Sequence, residues 1–96
     1  MRPSEVLEKN REAIREATKR FNAANPRVFG SVARGEDGPE SDLDILVDAL
    51  PGTTLFDLGG LQDTLETLLR IRVDIVTSGG LKPSMRERIL SEAAAI

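Results

Sequence analysis

The sequence predicts a fold of the α/β (α+β) class, with helices flanking a small sheet. Three observations carry that expectation: a period-two stretch at Asp42–Asp48, a leucine-rich helical stretch at Leu55–Leu69, and a second strand-like run at Arg72–Thr77. A strand, a helix of that length and another strand are the parts of a parallel crossover, so the two strands should be neighbours. A chain of 96 residues has room for a single core, and residues 1–96 read as one domain.

The first element runs from Ser4 to about Ala24, with Leu7, Ile14, Ala17, Phe21 and Ala24 on one face at helical spacing. Ser4 is the expected N-cap, Glu5 and Glu8 suit the positive end of the dipole, and Asn25-Pro26 supplies a stop. Arg27–Phe29 then forms a short strand that delivers the chain to Gly30. Ser31–Arg34 makes one helical turn, and Gly35–Ser41, containing Gly38-Pro39, is a polar and mobile loop. In Asp42–Asp48 the acids alternate with Leu43, Ile45 and Val47, giving a central strand with one apolar and one largely acidic face. Pro51-Gly52 ends it. Leu55, Leu58, Leu61, Leu65, Leu68 and Leu69 mark the next helix despite the cost of Gly59 and Gly60. Within Arg72–Thr77, Val73 and Ile75 face away from Asp74. Gly79-Gly80 turns the chain, and Pro83 opens a last helix with the stripe Met85, Ile89, Ala93 and Ile96.

The chain has no histidine and no cysteine, which excludes imidazole bases, thiol nucleophiles, disulfides and the usual zinc sites. Catalysis must therefore use carboxylates, hydroxyls, lysine, arginine or a bound metal. A net charge of -3 argues against general nucleic-acid binding, which depends on neutralising phosphates. With no tryptophan or tyrosine, and with Phe21, Phe29 and Phe56 all in apolar patterns expected for the core, a stacking platform for single strands is lacking too. No apolar run approaches bilayer length and no leader follows Met1, so the expectation is a cytoplasmic protein without a membrane anchor.

Asp42 and Asp44 should project from one face, where two carboxylates about 4 Å apart repel by about 4 kcal/mol at an effective dielectric near 20. A hard divalent cation relieves that repulsion. Magnesium fits best, because it takes one or two carboxylates and draws further oxygens from phosphate and water. Upstream, Gly30 lets the backbone approach a phosphate closely and Ser31 adds amide and hydroxyl donors, although the pair could simply make a strand-to-helix turn. Asp74 can join the other two acids if the strands are adjacent; alone it would read as an exposed strand charge. Arg34 either contacts phosphate or braces the acidic loop at Glu36 and Asp37. Arg70, Arg72, Lys82, Arg86 and Arg88 read as solvated ends of helices and strands.

Gly30-Ser31, Arg34-Gly35, Ser41-Asp42-Leu43-Asp44 and then Asp74 on the next strand resemble the nucleotidyltransferase superfamily that includes DNA polymerase beta. Within it the chain resembles the minimal nucleotidyltransferase (MNT) domain over nearly its whole length. That resemblance implies a nucleotidyltransferase fold with a small mixed sheet of three or more strands. It also implies transfer of a nucleoside monophosphate, AMP from ATP, to a hydroxyl with the help of two magnesium ions. Asp42 and Asp44 would hold both ions, Asp74 would join the one nearer the acceptor and take its proton, and Gly30 and Ser31 would bind the beta and gamma phosphates, with Arg34 as a candidate further contact. Many MNT proteins are antitoxins paired with a HEPN-domain toxin, and the implied acceptor is a tyrosine of that toxin, in a hetero-oligomer. Two other readings stay open: an antitoxin that binds nucleotide and inhibits without catalysis, and a subunit of a small-molecule or RNA nucleotidyltransferase.

Overall fold

The computed structural model describes residues 1–96. Its helices are α1 (Pro3–Lys9), α2 (Arg11–Arg20), α3 (Gly30–Ala33), α4 (Leu55–Leu69) and α5 (Pro83–Glu92), and its strands are β1 (Ala23–Phe29), β2 (Leu43–Ala49), β3 (Val73–Thr77) and β4 (Ala94–Ala95). The strands form one mixed sheet in the order β3-β2-β1-β4. β1 runs antiparallel to both β2 and β4, whereas β2 and β3 are parallel and joined by α4, as the crossover pattern predicts.

Alternation along the strands separates two faces. Leu43, Ile45 and Val47 of β2, Val28 of β1 and Val73 of β3 enter the main core with Ile14 and Ala17 of α2 and Leu61, Leu65 and Leu69 of α4. Asp44, Leu46 and Asp48 point the other way. Leu46 is nonetheless fully buried, as is Ile89 of α5 at 3% exposure, so the second face is apolar at its middle and acidic toward its ends.

The expected first helix is in fact two. Asn10 leaves helical geometry at φ -130°, and its side-chain amide donates to the Val6 carbonyl at 2.8 Å. A short polar side chain that competes for backbone groups breaks the helix here without disturbing the apolar stripe. Arg2 rather than Ser4 is the N-cap, with Pro3 in the first turn. The Ser4 N–H donates at 3.0 Å to the buried carboxylate of Asp37, so the polar loop expected to be mobile is tied to α1.

Asn25-Pro26 does not stop a helix either. Both residues lie inside β1, where the pairing with β2 shifts register between Ala24 and Arg27 and Asn25 adopts a positive φ of 51°. Proline is tolerated at such a bulge because no ladder bond needs its missing N–H. Its carbonyl instead accepts the Ile96 N–H at 3.0 Å.

At the other end, α5 stops at Glu92, and Ala94–Ala95 adds a fourth strand beside β1 before Ile96 buries itself in the core. Ala93 and Ile96 are therefore not part of a helical stripe. Phe56 is 92% exposed on α4, contrary to its expected place in the core. The two glycines of α4 differ in meaning: a Cβ on Gly60 would come within 2.6 Å of the Phe21 ring, so this glycine lets the helix seat against α2. A capping box between Thr54 and Asp57 starts α4, and Arg70 in the left-handed region at φ 57° ends it.

Candidate active site

The β2–β3 register sets Asp44 directly beside Asp74, and the β1–β2 register sets Phe29 beside Asp44 on its other flank. The residue after Phe29 is Gly30, with φ at 74°. Its backbone lies so close to β2 that a Cβ there would stand 2.3 Å from Asp44 Oδ2. Glycine is required twice over, for the left-handed turn and for this approach. Ser31 follows at the start of α3, half-buried. Gly30 and Asp44, fourteen residues apart in the chain, are thus in close contact.

Burial raises the Asp44 pKa to about 6, with the Asp74 and Asp42 charges adding to the rise and the Arg34 charge opposing it. A carboxylate that feels two others on one side of a sheet is the electrostatic signature of a cation site or of an acid-base group. Asp42, one residue ahead of β2, is turned toward Arg72, whose Nε lies 3.6 Å from Asp42 Oδ1. As the side chains stand, no group of three carboxylates is drawn to ligating spacing. Three oxygen donors, two of them in register and a third two residues from one of them, nevertheless fit a hard divalent ion. The exposed Arg72 partner, 85% accessible, offers little hold on Asp42.

Arg34 splits its guanidinium between two acids. Nε donates to Glu36 at 2.7 Å, and Nη1 donates to Glu92 at 3.2 and 3.3 Å. These partners, Glu36 first, raise its pKa. Of the two roles considered for Arg34, bracing is visible at Glu36 but not at Asp37, which turns to Ser4 and Arg2 instead.

Glu92 is the residue that sequence reasoning missed. Besides Arg34, it accepts the Gly30 N–H at 3.1 Å. No local pattern could have flagged it, since it looks like one more solvated acid near the end of an amphipathic helix. Lys82 is exposed, as expected of a solvated end, and it also lines a cavity of about 290 Å³ with Asp44, Asp74 and the apolar side chains of Phe29, Val76 and Met85. A larger groove of about 530 Å³, between α2, β1 and the chain end, contains none of the three acids. Concavity alone would have pointed to that groove; the carboxylates and the glycine turn favour the smaller one.

A family model described as a nucleotidyltransferase domain matches residues 8–96. A protein adenylyltransferase MntA of Thermococcus cleftensis is 36% identical over 91 residues, covering 95% of this chain and 89% of its own. A relative from Methanocaldococcus jannaschii named as a protein adenylyltransferase is 42% identical over 69 residues, covering 72% of this chain and 74% of its own. A solved structure assigned as a minimal nucleotidyltransferase superposes with a TM-score of 0.87 at 48% identity, covering 97% of this chain and 95% of that one. A toxin-antitoxin crystal structure with AMP-PNP shares the fold at a TM-score of 0.77 and 20% identity, over 90% of this chain and 71% of that one.

Proposed function

The chain belongs to the nucleotidyltransferase domain family, and from that premise we propose that it transfers AMP from ATP to a hydroxyl of another protein, a tyrosine of a HEPN-domain toxin for which it is the antitoxin. One observation carries this reading: the Gly30 turn rests on the Asp44 carboxylate, which stands in register with Asp74. A phosphate gripped by the turn would then lie next to the acids. Relatives named protein adenylyltransferases support AMP as the group moved, and a fold neighbour that is a toxin-antitoxin with AMP-PNP supports the partner and the nucleotide.

Each residue has a part. The Gly30 and Ser31 amides, the Ser31 hydroxyl and Arg34 bind the beta and gamma phosphates and so present the alpha-phosphorus to the acids. Asp42, Asp44 and Asp74 would hold two magnesium ions, which when bound neutralise the triphosphate and ease ionisation of the attacking hydroxyl. Asp74, the most exposed of the three, takes the proton from the acceptor hydroxyl as its oxygen bonds to the alpha-phosphorus and the bond to pyrophosphate breaks. Because the chain has no tyrosine, a tyrosyl acceptor must come from the partner. Residues 1–96 act as one domain, and an ATP-fed reaction of this kind belongs in the cytoplasm; no helix is long and apolar enough to cross a membrane.

The test is incubation with radiolabelled ATP, magnesium and the protein encoded by the adjacent gene. Label on the partner, lost when its tyrosine is replaced by phenylalanine, is the expected result. Tight binding with no label would mean inhibition without catalysis, and label on added RNA would mean a different acceptor.

A further inference from the structure

Glu92 closes α5 and lies 62 residues from Gly30, yet its carboxylate accepts the Gly30 N–H at 3.1 Å. The same carboxylate takes Arg34 Nη1 at 3.2 and 3.3 Å. These are two of the donors that a triphosphate would need. An arginine has several N–H groups and can serve two acceptors, whereas a backbone amide has a single hydrogen. Glu92 and a phosphate oxygen therefore compete for the Gly30 N–H, and their like charges oppose sharing it.

We propose that Glu92 is an internal stand-in for phosphate, holding the Gly30 and Arg34 donors in the free protein and setting nucleotide affinity because it must leave them. This rests on the reading that the Gly30 turn and Arg34 bind the triphosphate. Glu92 is only 17% exposed in its side chain, so its charge is held in place by these donors rather than by water. Burial alone would raise its pKa, but the Gly30 amide and Arg34 outweigh burial and keep the carboxyl below its ordinary value.

The backbone around Glu92 has little freedom to carry it away. Ala94 and Ala95 pair with β1, the Ile96 N–H bonds to the Pro26 carbonyl at 3.0 Å, and Arg11 and Arg15 donate to the carbonyls of Ala95 and Ile96 at 3.1 and 2.8 Å. Release is by rotation of the Glu92 side chain. Arg88, one turn back on α5 and already felt by the Glu92 charge, is placed to receive it.

The experiment is calorimetric titration of the full chain with ATP and magnesium, comparing wild type with Glu92→Gln and with Glu92→Asp, whose arm is one methylene shorter. Both variants are expected to bind about tenfold tighter than wild type, to melt at a lower temperature without ligand, and to gain more from nucleotide. Arg88→Gln is expected to bind more weakly. Affinity equal to or below wild type in both Glu92 variants would overturn the proposal and make Glu92 a brace for Arg34. If wild type binds no nucleotide at all, the triphosphate reading fails first and the proposal falls with it; the wild-type titration separates the two failures.

Discussion

Asp44 and Asp48 occupy the same face of the same strand, and their surroundings are opposite. Asp48 accepts hydrogen bonds from Asn25 at 2.9 Å, Ser78 at 2.8 Å and Arg27 at 3.1 Å, and these donors, Asn25 first, hold its carboxyl below the ordinary range. Asp44 meets burial and two further carboxylates, and its pKa rises to about 6. One end of β2 has been neutralised by the fold. The other has been left with charge that the protein does not satisfy, and a fold keeps such a cost where a ligand removes it.

The sharpest break in that comparison comes from exchanging each acid for its amide. Asp44→Asn is expected to cut label transfer by about 1,000-fold while leaving the unliganded chain at least as stable at neutral pH, because the amide ends the repulsion. Asp48→Asn should leave transfer per folded molecule unchanged and lower stability by about 1 kcal/mol, a modest figure because the site is partly open to water. Similar profiles for the two variants, in transfer assays and denaturant melts, would erase the distinction between the two ends.

A smaller effect is expected from Gly30→Ala. The new methyl would push against Asp44 Oδ2 and strain a backbone at φ 74°, so transfer should drop about 100-fold with a stability loss of about 1–3 kcal/mol. Gly35→Ala shares the positive φ at 71° but meets nothing within 4 Å. It is the control: it carries the backbone strain alone, and equal loss of transfer in both would mean that contact with Asp44 is irrelevant.

The smallest effect is on pH dependence. The folded pKa of Asp44 lies above the unfolded value, so the folded state holds the proton more tightly. The resulting stability is fully present below about pH 4 and is lost as pH rises through about 6. Relative to pH 5, the unliganded protein should therefore be less stable at pH 7.5 by about 1 kcal/mol from this group, after allowance for solvent screening. Asp44→Asn should flatten that part of the melting profile, whereas Asp48→Asn should not.

Much of this was legible from residue order, and what was not has a common cause. Period-two alternation at β2, the leucine repeat of α4 and the loop-helix-strand spacing are local signals, and they led to the parallel pairing that sets Asp74 beside Asp44. The two-residue strand β4 has no periodicity to read, and its partner at Arg27–Val28 is distant in the chain. The break at Asn10 keeps the helical stripe almost intact, so a pattern of apolar spacing runs through it. Asp37 and Glu92 look like surface acids because their partners, Ser4 and Gly30, are 33 and 62 residues away. Long-range polar contacts are where composition and spacing stop informing.

The connection from α4 to β3 carries a further consequence. Glu66, inside the last turn of α4, accepts the Val73 N–H at 3.0 Å across the left-handed Arg70, so three residues span helix and strand at a set length. A connector one residue shorter or longer would strain that set length, and if β3 slipped by one residue against β2 to relieve it, Asp74 would turn inward and Val73 would come to the surface. The segment works as a calibrated spacer, and indels there should be rejected for lost catalysis even when the chain still folds.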